Sequence, residues 1–422
     1  MEYANNMYVN PMLKDTRFPT CLAPWNALTI KWGGNVLPDI IYQGKFGNIT
    51  KQTLPEILNS KEAVELRKAH ADRNIPPACI ACQKKEQSGK SRRMYFWDKL
   101  DEDVKRGSIK NNATSKPDIR YLDFTISNKC NLACLHCNPF VSTGWTKDGK
   151  KLNKEAPDYW EQAKIGYHGV TDMQFLDNLF ADPDYFRNLQ WVALRGGEPL
   201  YDESCKAILQ WFIDQGLAKN IMLDISTNAT VFDKDFQEIF KHFKHIELLI
   251  SIEAVDELYS IIRGGKYTFK ELENNIEKFY TYDNIEVVFA VTVMSTNIFG
   301  LDKVWKWFKE KHEHRASISM SNVVVNPSYL NIAYLPEELK YIMYDKLLQI
   351  PDRSIWPKGS YHAQEIHYQT GIHAIRDGLQ LEGVDEKDQE KYWQWFMRYT
   401  KDLDRLRGTD TFKFIKELKY YE

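Results

Sequence analysis

Three cysteines stand close together in the segment Cys130-Asn131-Leu132-Ala133-Cys134-Leu135-His136-Cys137, which we call the cysteine loop. Thiolates are the usual protein ligands of iron-sulfur clusters, and a cubane cluster normally takes four of them. Three thiolates from one short loop leave one iron without a protein ligand, because the next cysteine, Cys205, lies far downstream in a predicted helix. The spacing therefore predicts a cluster with one open iron, and such an iron can bind a reacting molecule.

Two other kinds of site use similar residues. Cysteine and histidine at short spacing also hold zinc tetrahedrally, and His136 would complete a set of four with the loop cysteines. However, adjacent residues such as His136 and Cys137 rarely both reach one metal. A non-catalytic iron-sulfur electron carrier is the second alternative, although such proteins usually add a fourth cysteine near the other three.

A second group of cysteines lies in the first part of the chain. Cys21 precedes a strand-like alternation, Gly33-Gly34 marks a turn and a return strand follows, so the pattern predicts a hairpin with a cysteine at its base. A turn and a helix then lead to Cys79 and Cys82. The chain has seven cysteines, an odd number clustered at metal-ligand spacings, which favours metal sites over disulfides.

The elements that must position these residues follow from periodicity. From residue 119 onward strands and helices alternate, which is typical of a parallel sheet with crossover helices. The predicted strands lie near residues 119–127, 190–195, 221–227, 246–252, 285–294 and 316–325. Further helices are predicted over 94–105, 338–348 and 389–406. Where parallel strands and crossover helices close into a β/α barrel, the active-site residues stand on loops at the C-terminal ends of the strands.

Polar motifs fall at those strand ends. Arg195-Gly196-Gly197-Glu198-Pro199 follows the second strand, Ser226-Thr227-Asn228 the third, and Ser251-Ile252-Glu253-Ala254 the fourth, with Arg263 beyond it. Two glycines let backbone approach a ligand closely, and a carboxylate can accept hydrogen bonds from an ammonium group. Hydroxyl, amide and carboxylate groups suit a ribose, and an arginine suits a carboxylate. Each motif alone is weak, since two glycines at a strand-helix turn are more often only a turn.

Together with the motif Gly196-Gly197-Glu198-Pro199, the cysteine loop resembles the radical S-adenosylmethionine (SAM) family. The resemblance implies an α/β fold with a partial (β/α)6 TIM-like barrel and a 4Fe-4S cluster held by Cys130, Cys134 and Cys137. It also implies that the open iron binds the amino and carboxylate groups of SAM. The reduced cluster then cleaves SAM to a 5′-deoxyadenosyl radical, which abstracts hydrogen from a substrate.

The same resemblance implies a set of SAM contacts. The motif glutamate contacts the SAM amino group, and the polar residues of the later strand ends contact the ribose and the carboxylate. The implied residues are Gly196, Gly197, Glu198, Pro199, Ser226, Asn228, Ser251, Glu253 and Arg263. Family members often show Ser-x-Asp-Gly where this chain has Ser251-Ile252-Glu253-Ala254, so the role of Glu253 departs from the pattern.

The region from Phe18 to Gln83 resembles the auxiliary-cluster module known as the SPASM or twitch domain. In the family this module normally follows the barrel, whereas here it precedes the barrel. In the family, four residues separate a hairpin glycine from a cysteine, and the corresponding position after Gly34 is Asp39. The implied ligands of an auxiliary iron-sulfur cluster are Cys21, Asp39, Cys79 and Cys82. The alternative is an ordinary buried Cys21, with zinc or no metal at the other two cysteines.

These interpretations divide the chain into four regions. A small N-terminal hairpin and helix module of the twitch type is expected over 1–93, a connector over 94–117, the barrel over 118–335 and a C-terminal helical extension over 336–422. The segment 138–190 opens from the cysteine loop and is well placed to shape a substrate pocket. Its aromatic residues could equally pack a helical pair; they include Trp145, Tyr159, Trp160 and Tyr167.

Composition limits the partners. The chain of 422 residues has a formal net charge of -2, and 43% of its residues are apolar. The net charge therefore does not indicate non-specific binding to nucleic acid. The N-terminus lacks a basic region followed by an apolar stretch, and no run approaches the ~18 uncharged apolar residues of a membrane span. A cytoplasmic location without membrane attachment is therefore expected.

The family resemblance also bears on the reaction. Auxiliary-cluster members often oxidise or cross-link peptides, so a peptide or protein substrate is expected, with an electron donor such as flavodoxin or ferredoxin. The alternative is dehydrogenation or rearrangement of a small molecule, sugar or nucleoside. The SAM motif disfavours a non-catalytic electron-transfer protein, because an electron carrier has no need for SAM contacts. The sequence does not identify the residue that donates or accepts the final hydrogen or electron.

Overall fold

The computed structural model describes residues 20–87, 91–108, 111–125, 127–155, 169, 174–264, 267–351, 375 and 384–421. The chain divides into two units. The first comprises Met1–Ser127, His168–Leu194 and Trp211–Met222, and the second comprises Asn128–Tyr167, Arg195–Gln210 and Leu223–Glu422. Residues 1–19 of the predicted N-terminal module and the aromatic residues Tyr159, Trp160 and Tyr167 lie outside the described part of the chain.

Strands and helices alternate in the second half of the chain. The strands are Ala27–Lys31 (β1), Asn35–Leu37 (β2), Gly47–Asn48 (β3), Tyr121–Thr125 (β4), Trp191–Leu194 (β5), Met222–Thr227 (β6), His245–Ser251 (β7), Ile285–Val293 (β8) and Ala316–Val323 (β9). The helices are Ala23–Asn26 (α1), Leu54–Leu58 (α2), Lys61–Ala71 (α3), Ile80–Gln87 (α4), Arg92–Lys99 (α5), Glu102–Ser108 (α6), Thr146–Glu155 (α7), Phe175–Leu179 (α8), Glu203–Asp214 (α9), Lys234–Phe240 (α10), Asp256–Arg263 (α11), Phe269–Phe279 (α12), Leu301–Lys311 (α13), Glu337–Leu347 (α14) and Glu386–Arg407 (α15).

The strands of the first unit lie in the order β3-β2-β1-β4-β5. β1 and β2 form the predicted antiparallel hairpin, with Thr29 opposite Leu37. β1 also runs parallel to β4, with Ala27 opposite Tyr121, and β4 runs parallel to β5. The N-terminal hairpin therefore continues the sheet that contains the first predicted barrel strand, a pairing that the sequence did not indicate.

The sequence predicts one helix over 94–105, but the structure has two helices there, α5 and α6, and both cover this sheet. α5 begins at the N-cap Ser91, whose hydroxyl accepts a hydrogen bond from the Met94 amide at 3.1 Å, and Leu100 then adopts an extended conformation that separates α5 from α6. Their apolar side chains pack on β4 and β5. The buried cluster contains Phe96, Leu100, Val104, Tyr121, Trp191 and Ala193.

The second unit holds the strands β6-β7-β8-β9 in that order. β7, β8 and β9 are parallel, with Leu248 opposite Val287 and Phe289 opposite Ile318. β6 is buried along nearly its whole length, and the central residues of β8 are buried as well. Such continuous burial is expected for parallel strands that helices cover on their faces.

The predicted fold class is confirmed. The six strands expected for the partial (β/α)6 barrel are β4 to β9, and each begins and ends within two residues of its predicted bounds. The helices predicted over 338–348 and 389–406 are α14 and α15. The four domain boundaries stay a prediction. Among the described residues, no helix combines the length and the apolar character that crossing a bilayer requires.

Candidate functional site

The three cysteines of the cysteine loop lie together in the second unit. Cys130 and Cys134 are buried and Cys137 is half-buried, and all three pack with Leu132 and Tyr267 in one cluster. All seven cysteines of the chain carry free thiols. Three free thiols beside one another, two of them buried, fit the metal cluster that the spacing predicted.

Two side chains in the segment directly after the cysteine loop donate hydrogen bonds to the backbone of the loop. The Ser142 hydroxyl donates to the Leu132 carbonyl at 2.6 Å, and the Trp145 indole N–H donates to the Cys134 carbonyl at 2.9 Å. Both donors are buried, so these hydrogen bonds are shielded from water. They hold the backbone of the loop by its carbonyl groups and leave the thiols available.

The C-terminal helix α15 also holds the cysteine loop. The Tyr399 hydroxyl donates to the Leu135 carbonyl at 3.0 Å, and Nη2 of Arg407 donates to the Ala133 carbonyl at 2.9 Å. The Arg407 guanidinium carbon also lies 4.6 Å from the ring centre of Trp145. These contacts could not be predicted from the sequence, because the spacing of one tyrosine and one arginine on a helix does not indicate a contact with a distant loop.

Two glycines let other backbone segments touch the cysteine loop. A Cβ atom at Gly197 would lie 2.3 Å from the Lys129 carbonyl oxygen, and one at Gly264 would lie 2.9 Å from the Ala133 carbonyl oxygen. Gly264 also has a φ of +95°, which L side chains rarely adopt. Gly197 therefore packs closely on the backbone directly before the cysteine loop, and the contact of Gly196 and Gly197 with SAM stays a prediction.

The carboxyl group of Glu198, in the predicted SAM motif, is buried and accepts three hydrogen bonds. It is 1% exposed, and its carboxyl oxygens accept hydrogen bonds from the Leu200 amide at 3.0 Å, the Thr227 hydroxyl at 2.6 Å and the Asn228 amide at 2.5 Å. A carboxylate has about four acceptor positions, so one remains for a ligand. Burial raises the pKa of Glu198 to about 7, against the lowering effect of these hydrogen bonds. The next residue, Pro199, is buried at the start of a short helical turn.

Asn228 and Ser226, at the end of β6, have different surroundings. The Asn228 side-chain amide donates to Asn131 Oδ1 at 3.0 Å, and its nitrogen lies 3.9 Å from the Cys130 sulfur. Asn228 therefore borders the cysteine loop. The Ser226 hydroxyl accepts from Nη1 of Arg195 at 2.6 Å. The structure brings Asn228 and Glu198 to the loop, while Ser226 stands in a separate bond with Arg195.

Arg263 joins the end of β7 to the cysteine loop. Its Nη2 lies 2.7 Å from Oε2 of Glu253, and its Nη1 lies 3.4 Å from the Cys134 sulfur. Burial opposes the charge of Arg263, but Glu253 and Cys134 raise its pKa above the ordinary value. A hydrogen bond from Cys137, followed by the charge of Arg263, lowers the pKa of Cys134 and favours a thiolate there. Ser251 is half-buried at the end of β7.

The second cysteine group forms a separate site within the first unit. Cys21, Cys79 and Cys82 line one cavity together with Asp39 and His70, with an empty volume of about 560 Å³ that includes space open to solvent. Burial raises the pKa of the Cys79 thiol to about 12, so a thiolate there needs a compensating cation. Three free thiols around one cavity fit an auxiliary cluster. Among the described residues, no group of three or more His, Cys, Asp or Glu side chains is arranged to hold a single metal ion.

Asp39 lines this cavity, but its carboxylate is occupied. Oδ2 accepts hydrogen bonds from Nε and Nη2 of Arg92 at 2.9 and 2.6 Å, and Oδ1 accepts from the Ile41 amide at 3.0 Å. Ligation by Asp39 stays a prediction, and it would require the carboxylate to give up part of this ion pair.

Two family models match the chain. An iron-sulfur cluster-binding domain, SPASM, matches residues 21–83, and the radical SAM superfamily matches residues 124–302. The chain therefore contains a radical SAM domain with a SPASM module before it. The order of the two matches confirms that the auxiliary module precedes the radical SAM domain. The cofactors are a SAM-binding 4Fe-4S cluster, SAM itself and an auxiliary iron-sulfur cluster.

Curated relatives match part of this radical SAM chain. The sporulation killing factor maturation protein SkfB of Bacillus subtilis (strain 168) is 25% identical over 175 residues, which are 41% of this chain and 35% of the relative. An uncharacterized protein of Methanocaldococcus jannaschii is 25% identical over 181 residues, which are 42% of this chain and 54% of the relative. The chain thus spans between a third and about a half of the length of these relatives.

Solved structures resemble the radical SAM chain more weakly. Native anSMEcpe with bound AdoMet is 18% identical, with a TM-score of 0.38, and the likeness covers 55% of this chain and 60% of that chain. Streptococcus suis SuiB bound to the precursor peptide SuiA is 15% identical, with a TM-score of 0.33, and the likeness covers 72% of this chain and 66% of that chain.

Proposed function

We propose that this radical SAM enzyme cleaves SAM reductively and uses the resulting 5′-deoxyadenosyl radical to abstract hydrogen from a peptide or protein, which is then oxidised or cross-linked. The observation that carries the proposal is the cysteine loop. Its three thiols lie in one cluster, and three polar residues predicted to contact SAM border it, namely Asn228, Glu198 and Arg263.

The residues around the loop have the capacity that SAM binding requires. Glu198 keeps one acceptor position for an N–H of the SAM amino group. Arg263 has five N–H donors, and its Nε has no hydrogen-bond partner among the described residues, so a donor remains for the SAM carboxylate. Ser226, Ser251 and Asn228 supply hydroxyl and amide groups for the ribose, and Glu253 keeps the charge of Arg263 compensated.

A peptide substrate is proposed on two grounds. The first is the auxiliary module, which in this family often accompanies peptide modification. The second is the partial match to SkfB, whose name describes the maturation of a killing factor. Reduction of the cluster needs a one-electron donor, for which we propose a flavodoxin or ferredoxin.

The function is tested by product analysis. Protein reconstituted anaerobically with iron and sulfide is mixed with SAM and dithionite, and 5′-deoxyadenosine is measured by chromatography. We expect this product without any substrate, and faster formation with a peptide encoded by a short reading frame beside the gene. A mass change in that peptide would identify it as the substrate. Product formation that no peptide accelerates, but that a sugar or nucleoside does, would contradict the peptide assignment.

The change Glu198→Gln is expected to weaken SAM binding without removing iron. A charge-assisted hydrogen bond contributes ~1.5–3 kcal/mol, so the dissociation constant should rise by roughly one to two decades. Because the pKa of Glu198 is raised to about 7, the carboxyl becomes protonated as pH falls below that value. The unaltered protein should therefore bind SAM more tightly as pH rises through 7, and the variant should lack this dependence.

Calorimetric titration with SAM on both sides of neutral pH measures the Glu198 effect. Iron content and thermal unfolding serve as controls, because Glu198 also joins Thr227 and Asn228. Equal SAM affinity of the two proteins above pH 7 would leave Glu198 with a purely structural role.

A further inference from the structure

The cavity lined by Cys21, Cys79 and Cys82, which we call the auxiliary cavity, is also lined by two carboxylates. Each carboxylate is paired with an arginine. Asp39 is held by Arg92 and by a backbone amide, as described above. Glu86 accepts hydrogen bonds from Nε and Nη2 of Arg93 at 3.0 and 2.9 Å and from the Ser91 hydroxyl at 2.7 Å. Because breaking a buried ion pair leaves an uncompensated buried charge, neither carboxylate is readily released to bind iron.

His70 occupies a different position in the same cavity. It lies in the last turn of α3 and is 9% exposed, and its Nε2 is 3.6 Å from the Cys79 sulfur. An imidazole nitrogen is an established ligand type for iron-sulfur clusters, in which it can take the place of a thiolate. His70 therefore offers a nitrogen donor beside a thiol that lies in the region matched by the cluster-binding domain.

The segments that carry His70 and Cys79 are both fixed in place. The Arg67 guanidinium, which is buried one turn before His70, donates from Nε to the Ala113 carbonyl at 3.1 Å. On the other side, the Gln43 amide donates to the Ala78 carbonyl at 3.0 Å, which fixes the backbone next to Cys79. The proximity of the imidazole to the thiol thus follows from the packing of both segments.

We propose that His70 is the fourth protein ligand of the auxiliary cluster, beside Cys21, Cys79 and Cys82. Asp39 then serves to neutralise Arg92 at the wall of the cavity. A neutral imidazole in place of a thiolate makes the cluster one unit less negative, which raises its reduction potential. The auxiliary cluster of this chain should accordingly be easier to reduce than one with four thiolates.

The test uses the full-length Cys130→Ala/Cys134→Ala/Cys137→Ala variant, in which any cluster must lie in the N-terminal module. The protein is produced with nitrogen-15-labelled histidine, reconstituted anaerobically and reduced with dithionite, and pulsed electron paramagnetic resonance measures nitrogen hyperfine coupling. We expect a coupling that follows the histidine label. His70→Cys should retain the iron, remove this coupling and lower the midpoint potential.

The comparison variants separate His70 from Asp39. His70→Ala is expected to lose iron faster than the parent to a chelator, whereas Asp39→Asn should keep both the iron and the coupling. The proposal is overturned by a reduced cluster without histidine coupling, by a coupling that survives in His70→Cys, or by bound zinc without iron. Loss of iron in Asp39→Asn alone would return the ligand role to Asp39.

The unaltered protein gives a second measurement that needs no change near either cluster. Added SAM perturbs the spectrum of the catalytic cluster, so the signal that SAM leaves unchanged belongs to the auxiliary cluster. Histidine coupling in that signal is the expected result, and its absence overturns the proposal. None of these readouts requires SAM cleavage, so the ligand assignment can fail while the proposed function stands, and the reverse.

Discussion

Replacing Cys134 by alanine is expected to reduce 5′-deoxyadenosine formation to the background seen without protein. Cys134 is the loop cysteine whose sulfur contacts Arg263 and whose carbonyl is held by Trp145. Its removal leaves two thiolates in the loop for a cluster that needs three, so the catalytic iron should be lost. The measurement is product formation from SAM and dithionite, together with iron content per chain.

Cys205 provides the matched control for this experiment. It is also a buried free cysteine of the second unit, but it lies in α9 outside the cysteine loop. Cys205→Ala should keep the iron content and most of the product formation, because it removes a core thiol and no proposed ligand. If the variant lacking all three loop cysteines still forms 5′-deoxyadenosine, the assignment of the catalytic cluster is wrong.

The second large effect is expected from Arg263→Met. Arg263 and Glu253 have side-chain exposures of 4% and 1%, so the change leaves a buried carboxylate without its counter-charge. Removing one partner of a buried ion pair typically costs ~3–5 kcal/mol of the free energy of unfolding. We expect a loss of this size in metal-free protein, measured as a shift of the urea midpoint.

The paired variant Arg263→Met/Glu253→Met is the control for that loss. Replacing both members of a buried pair by apolar residues of similar size is often neutral or stabilising, so much of the lost stability should return. A single variant as stable as the parent would show that the pair contributes little to folding. If the double variant is less stable than either single variant, uncompensated charge is not the cause of the loss.

The pattern of apolar residues was sufficient to predict a parallel sheet with crossover helices, whereas the partial (β/α)6 barrel was implied by the family resemblance. Parallel strands are buried over most of their length, so a strand such as β8 contains a run of apolar residues, here 287–291, that can be located in the sequence. The pairing of β1 with β4 could not be predicted in this way. A strand in a hairpin looks the same in sequence whether its outer edge is free or paired.

The candidate site was predictable where its residues are close in sequence. The cysteine loop and Gly196-Gly197-Glu198-Pro199 are compact motifs, and the structure places both around the same loop backbone. The partners of Asp39 were not predictable, because Arg92 lies 53 positions away and no local pattern joins the two residues. His70 was missed for a similar reason, since a single histidine in the last turn of a helix is an ordinary feature.

The hydrogen bonds from α15 to the cysteine loop bear on the order in which the protein matures. They join residues 264 and 274 positions apart, whereas the residues of the auxiliary cavity all lie between Cys21 and Phe96. A ribosome releases the chain from its N-terminus, and N-terminal segments fold first. The auxiliary site can therefore receive its cluster on the nascent chain. The cysteine loop gains all of its hydrogen bonds from α15 only after residue 407 has emerged.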